Sequence, residues 1–327
     1  TDPANQAKFS AAYGREISRN KGITKVTALE RCGERIFGML IDGENTLVSD
    51  PDRTHGEKAL RSLEHLVVID IFLSETAELA DVVLPAASWG ETDGHYTNTE
   101  RRIQRVRRAV SPPGEAQPDW WIISQLALRM GVAGFDYASP KEVFNELCSL
   151  SPIYAGVDWD LAEGGQYQWP IPYRGHPGTP RLHEDGFVNG LGKFSLTGYR
   201  DPAEVIDDEF PVWLTTGRRL ESYHTRTQTG RAQGIDYLLA EETLEVHPDD
   251  LAAWGIHDGA WVRMASRRGA VEIKVEATER SPRGTVFCTF AFNDVPVNVL
   301  TGSGYDPITQ TAELKVCPVR IKALKAR

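Results

Sequence analysis

The sequence predicts a doubly wound α/β region with a parallel sheet, followed by a mostly β closed barrel. Three observations carry this expectation. Up to residue 131, apolar runs too uniformly hydrophobic for a one-sided sheet alternate with helical segments. From residue 210 the pattern changes to short alternating strands separated by turns, interrupted by one short helix. Between them, residues 132–209 are rich in Gly, Pro and aromatic residues, with one helix near 141–150, and read as a connection.

In chain order, Ile36 to Ile41 is a first strand that ends in the turn-rich Asp42-Gly43-Glu44-Asn45. A helix is expected over Gly56–Leu66, a second strand over Leu66–Phe72, a short helix over Ser74–Ala80 with Ser74 as its cap, and a third strand at Val82–Leu84 closed by Pro85. Ligands of such sheets bind beyond the carboxyl ends of the strands, which singles out Asn45, Ile69 and Asp70. Asp119 is the expected N-cap of a helix whose apolar positions 120, 123, 126, 127 and 130 describe a buried face, ended by Gly131. In the second region Val212–Thr215 and Val286–Phe290 are strands, 260–266 and 270–275 form a hairpin, and Pro248–Trp254 is the interposed helix.

With 327 residues, 41% of them hydrophobic, the chain has material for about two domains with their own cores. No stretch approaches the ~20 consecutive apolar residues of a membrane helix, and Thr1-Asp2-Pro3-Ala4 has neither the basic nor the apolar segment of a signal peptide. No direct membrane insertion is therefore expected, and a cytoplasmic location follows. A net charge of −10 argues against broad nucleic-acid binding. The arginine-rich run Arg101 to Arg108 stands apart, either as a solvated strand or as a patch that meets phosphates or carboxylates.

The four cysteines lie far apart with no C-x-x-C, so no zinc or iron–sulfur motif is present, and Cys288 in its apolar run reads as core. Their low number suits a reducing compartment. The histidines show no H-E-x-x-H spacing, and the nucleophile elbow, the P-loop and G-x-G-x-x-G are all missing. No catalytic side chain and no metal ligand is assigned to this chain.

The most chemically loaded stretch follows strand 212–215: Thr216, Gly217, Arg218, Arg219, Leu220, Glu221, Ser222, Tyr223, His224 and Thr225, continuing to Arg231. Glycine lets backbone N–H groups approach an anion, while hydroxyls, guanidinium groups and an imidazole supply further donors. Taken alone, it is equally a solvated polar loop.

It is accompanied by D-L-x-x-x-G-I-x-D-G over 250–259, by Asn298-Val299-Leu300-Thr301 and by Asp306 to Lys315. Together these motifs resemble the C-terminal cofactor domain of molybdopterin-guanine-dinucleotide oxidoreductases. The first half resembles the preceding α/β region of that family through Ala80 to Pro85, Trp89-Gly90-Glu91-Thr92-Asp93-Gly94 and Asn98 to Arg105. Within the family the likeness is to catalytic (alpha) subunits of formate dehydrogenases, through Asp2-Pro3-Ala4, Gln168-Trp169-Pro170 and the run from Pro307 to Cys317.

The resemblance implies a double-psi barrel and two molybdopterin guanine dinucleotides chelating molybdenum or tungsten. Positions matching the family's cofactor contacts are Asn45, Ile69, Asp70, Asp119, Thr216 to Thr225, Phe290, Asn298 and Lys315. Thr92 stands where relatives often carry Lys, so a phosphate or ribose contact there is lost or replaced. The family's metal-ligating Cys or selenocysteine, its neighbouring His, a substrate Arg and an iron–sulfur motif are not among these residues. The expectation is therefore a C-terminal portion, inactive alone, partnered by the N-terminal half of the same subunit and by electron-transfer subunits. The complete enzyme would oxidise formate to carbon dioxide and pass electrons to iron–sulfur clusters in the missing half or in partner subunits. A nitrate reductase or related oxyanion reductase, and a non-catalytic structural relative in a respiratory complex, are the alternatives.

Overall fold

The structure, a computed structural model, describes residues 2–164, 167–187 and 189–324. Its strands are β1 (Gly38–Asp42), β2 (His65–Asp70), β3 (Val82–Pro85), β4 (Gly94–Thr97), β5 (Ile103–Val106), β6 (Val212–Gly217), β7 (Thr243–Val246), β8 (Trp261–Ala265), β9 (Ala270–Ala277), β10 (Thr285–Thr289) and β11 (Cys317–Ala323). The chain folds into two compact units, each discontinuous in sequence: 1–22 with 84–197, and 23–83 with 198–327.

The second unit holds both architectures expected from the sequence. A three-stranded sheet runs β1-β2-β3, and β1 pairs with β2 in parallel, Ile41 opposite Val68. Its core is Leu29, Ile41, Ala59, Leu60, Leu66, Val68 and Ala77. The barrel closes in the order β10-β6-β11-β8-β9-β7. Two of its pairings, β6 with β10 and β7 with β9, are parallel, and the others are antiparallel. Period-two alternation in β9, whose Val271, Ile273 and Val275 all point inward, fills the barrel interior. Cys288 lies fully buried in this core, as its apolar run suggested.

Sheet and barrel are fastened together within this unit by buried polar bonds. Asn298 Nδ2 donates to the Val48 carbonyl at 2.8 Å, and the Asp52 backbone N–H donates to Thr301 Oγ1 at 3.3 Å. An unpaired buried carbonyl or hydroxyl costs about 1–3 kcal/mol, so each bond fixes the docking of the two parts.

Several boundaries differ from the sequence expectation. The helix expected over 56–66 spans Arg53–Arg61, because the Asp52 carboxylate accepts the His55 N–H at 3.2 Å and so starts it one turn earlier. The segment expected as a helix over 74–80 is a single 3-10 turn, Ala77–Leu79, with Ser74 Oγ accepting from the Ala77 N–H at 3.4 Å.

The first unit contains helices Pro3–Tyr13, Asp119–Arg129, Pro140–Leu150 and Trp159–Ala162 and the antiparallel pair β4–β5. Asp119 is the first helical residue and not the cap. Pro118, extended at φ −61° and ψ 142°, precedes it, and the Asp119 carboxylate lies in the first turn, where the helix dipole favours it. The expected buried face is not the one realised: Ile122 and Ser124, outside it, are buried, whereas of the expected positions Trp120, Leu126 and Ala127 are half-buried and Ile123 and Met130 are exposed. Neither open reading of the arginine run describes all of it. Arg105 is spent inside the unit, bonded to Asp93 at 2.7 Å and Glu163 at 3.2 Å and lying 4.4 Å from the Trp159 ring centre. Arg101 donates to the carbonyls of Trp169, Thr179 and Pro180.

Candidate functional site

The carboxyl ends of β1 and β2 and the loop after β6 converge in the second unit. Gly43, Glu44, Asn45 and Asp70 from the sheet, with Tyr223, His224, Thr225, Thr227 and Gln228 from the loop, line a pocket of about 80 Å³. Parallel strands end on the same side, so the turns after β1 and β2 open together, which is where such sheets bind ligands.

Asn45 holds the two parts in register. Its Nδ2 donates to Glu75 Oε2 at 2.7 Å and to Thr227 Oγ1 at 3.1 Å, and its Oδ1 accepts the Thr76 hydroxyl at 2.9 Å. A buried amide with both ends engaged positions its neighbours, and here it ties β1 to the loop. The Asp70 carboxylate accepts from the Ile71 N–H at 2.7 Å and the Ser74 hydroxyl at 3.1 Å. Burial, then the charge of Asp70, pushes the Asp42 carboxyl up. The Ile69 side chain is wholly buried in the sheet and its carbonyl accepts the Gly43 N–H at 2.9 Å, so it supports the pocket from behind without lining it.

The loop itself is compact. His224 and Arg226 take left-handed backbone angles, φ 50° and 61°, which non-glycine residues rarely adopt. The His224 ring meets Phe290 edge-on at 5.5 Å. Burial lowers the His224 pKa, and the charges of Arg218 and Lys25 add to that against Glu44 and Asp50, so the imidazole is neutral near pH 7.

The donors of this loop divide into committed and uncommitted groups. Arg219 turns onto the barrel wall, bonding Thr243 Oγ1 at 2.8 Å and Glu245 at 3.3 Å. Arg226 is paired with Asp236 and stacks on Phe292, and Arg231 lies over Phe72. Arg218 is exposed and makes no ion pair or hydrogen bond among the described residues. Ser222 is 6% exposed, and its Oγ is buried with no partner among the described residues. A buried hydroxyl without a partner costs about 1–3 kcal/mol, so Ser222 and Arg218 are the loop groups that fit a polar, anionic ligand.

Other expected site residues are placed elsewhere. Leu220 and Glu221 line, with Arg218 and Arg219, a cleft of about 650 Å³ on the outside of the barrel, and Leu220 is 99% exposed. The Thr216 hydroxyl donates to the Leu314 carbonyl at 2.7 Å and Lys315 Nζ to the Thr216 carbonyl at 3.0 Å. Gly217 packs so closely on the Phe287 ring that a Cβ there would collide with it. Asn298 is buried at the bond to Val48 already described. Asp119 belongs to the other unit. Among the described residues no group of three or more His, Cys, Asp or Glu is arranged to hold a metal ion, and no helix is long and apolar enough to cross a membrane.

Glu44, Thr227 and Gln228 line the pocket and were not singled out as site residues. Glu44 sits beside Asn45 at the same strand end, so the strand-end rule extended by one residue would have found it, and carrying the polar loop three residues past Thr225 would have found Thr227 and Gln228.

Comparison with known proteins agrees with this layout. Residues 4–129 match the family described as molybdopterin oxidoreductase, and residues 212–318 match the molydopterin dinucleotide binding domain. The chain is 43% identical over 312 residues to the F420-dependent formate dehydrogenase 2 subunit alpha of Methanococcus maripaludis, covering 94% of this chain and 46% of that protein. It is 36% identical over 331 residues to the assimilatory nitrate reductase catalytic subunit of Bacillus subtilis, covering 97% of this chain and 46% of that one. Acetylene hydratase from Pelobacter acetylenicus shares the fold, with a TM-score of 0.70 at 20% identity, covering 99% of this chain and 50% of that structure. The chain spans about half the length of the curated relatives it matches. Its two matched segments, its parallel sheet and its closed barrel place the chain in the molybdopterin oxidoreductase family.

Proposed function

We propose that this chain is the cofactor-holding portion of a formate dehydrogenase that carries two molybdopterin guanine dinucleotides with molybdenum or tungsten and passes electrons to iron–sulfur clusters. The observation that carries the cofactor reading is that the loop holding a buried, partnerless Ser222 hydroxyl and an uncommitted Arg218 also lines the strand-end pocket through Tyr223, His224 and Thr225. When bound, the group supplies the two-electron redox chemistry. The chain's own side chains bind and orient it: Arg218 and Ser222 meet anionic and polar oxygens, and neutral His224 offers one donor and one acceptor. Lys315 keeps two of its three ammonium hydrogens for a ligand after bonding Thr216.

Formate as the substrate is supported by the 43% identity to a formate dehydrogenase alpha subunit, against 36% to the nitrate reductase subunit. The test is made on the complete enzyme that carries this chain. Ser222→Ala and Arg218→Gln should lower its molybdenum or tungsten content and the guanine nucleotide released on acid treatment, and the wild-type enzyme should oxidise formate and leave nitrate unreduced. Unchanged metal and nucleotide content in both variants would overturn the cofactor assignment. Nitrate reduction without formate oxidation would overturn the substrate.

A further inference from the structure

Oxidation of formate to carbon dioxide breaks one C–H bond, passes two electrons to the iron–sulfur acceptor and leaves one proton. A proton moves only between groups within hydrogen-bond reach or through one water, so a site enclosed by protein needs side chains that hand it outward.

Three pockets of the second unit share walls in a way that supplies such a path. Glu44 and His224 line both the strand-end pocket and a neighbouring one of about 360 Å³. Asp50 lines that neighbour and also a third pocket of about 120 Å³, which contains Asp52 and the exposed His55. Between Glu44 and Asp50 stands the Ser49 hydroxyl, 2.5 Å from Glu44 Oε1 and 3.0 Å from Asp50 Oδ1. Its one hydrogen serves one carboxyl at a time, and a hydroxyl both accepts and donates.

The two carboxyls are unlike. The Asp50 side chain is nine-tenths buried, and its Oδ2 has no hydrogen-bond partner among the described residues. Lys25 Nζ lies 2.5 Å from Asp50 Oδ1 and 3.3 Å from Glu44 Oε1. Burial nevertheless pushes the Asp50 carboxyl up, whereas at Glu44 the Ser49 hydroxyl and Lys25 outweigh burial and hold it down. Asp50 is therefore the stronger base of the two and Glu44 the weaker, so a proton that reaches Glu44 passes on toward Asp50. The other titratable groups around them are Glu30, Asp52, His55, Asp70, Tyr223 and His224.

We propose that Glu44, Ser49 and Asp50 carry the proton released in formate oxidation from the pocket at His224 to the solvent-facing pocket of Asp52 and His55. This rests on the formate reading above. Glu44 takes the proton, Ser49 accepts it while giving its own hydrogen to Asp50, and Asp50 releases one outward, so every group ends as it began.

The test uses the complete enzyme with Asp50→Asn and Glu44→Gln, which keep size and shape, and with Ser49→Ala. In Asp50→Asn and Ser49→Ala metal and nucleotide content should be unchanged, and in all three variants kcat should fall about tenfold or more, with kcat restored by small buffers such as imidazole. Independently of turnover, an infrared carboxylic-acid band that shifts in D2O should be present in the wild type and absent from Asp50→Asn. A wild-type enzyme that oxidises formate while the variants keep their kcat and pH profile overturns the relay alone, as does a band that persists in Asp50→Asn. A wild type that fails to oxidise formate overturns the formate reading and the relay with it.

Discussion

Lys315 and Thr216 are bonded across 99 positions of sequence: the lysine ammonium donates to the threonine carbonyl at 3.0 Å, and the threonine hydroxyl donates to the neighbouring Leu314 carbonyl at 2.7 Å. This pair of bonds sets the end of β6 against the segment leading into β11, and the donor-rich loop begins at that end.

Thr216→Val removes one of these bonds and leaves the Leu314 carbonyl without its partner. We expect a loss of about 1–2 kcal/mol in denaturant unfolding. In the complete enzyme, Lys315→Met should reduce both thermal stability and metal content. Unchanged metal content would separate the lysine's structural bond from any role at the ligand.

Asn298→Ala strips the buried Val48 carbonyl of its donor and frees Thr301 from its contact with the amide oxygen. Loss of a buried amide bond of this kind costs about 1–3 kcal/mol. Because the bond joins barrel to sheet, hydrogen exchange should quicken around 46–49 before it does in β8 and β9.

Gly156→Ala tests close backbone packing in the other unit. A Cβ on Gly156 would collide with the Tyr173 carbonyl, and the Gly156 N–H donates to Ile171 O at 2.6 Å, so neither strand of chain can yield. We expect destabilisation of about 1–3 kcal/mol, read as a lowered Tm.

His95 gives a pH prediction. Its ring stacks on Phe144 at 4.4 Å and meets Trp159 edge-on at 4.5 Å, and both ring nitrogens are buried without partners among the described residues. Burial, then the charge of Arg105, against that of Glu163, pushes its pKa down to about 4. The unfolded chain therefore binds this proton near pH 6.5, before the folded one does, so stability falls as pH drops from about 6.5 to 4 and rises with pH across that window. His95→Phe should flatten that part of the stability–pH curve. A slope identical to wild type would show that His95 does not set it.

Sequence alone determined the architecture because it rests on local patterns. The apolar runs at 36–41 and 66–72 read as strands of a sheet, although Phe37 and Leu40 leave β1 partly exposed, and the alternation in 270–277 fits a barrel wall with one face inward. The polar loop after β6 and the strand-end residues Asn45 and Asp70 were legible for the same reason. The tertiary structure alone decided which donors remain available. Arg218 and Arg219 are adjacent and identical in the sequence, yet Arg219 is spent on Thr243 and Glu245, which lie 24 and 26 residues away, while Arg218 is not engaged. Ser222 lacks a partner, and Asp50 forms a wall shared by two pockets, only because distant segments pack around them. Burial and hydrogen-bond pairing are properties of non-local contacts, so residue type and spacing do not encode them.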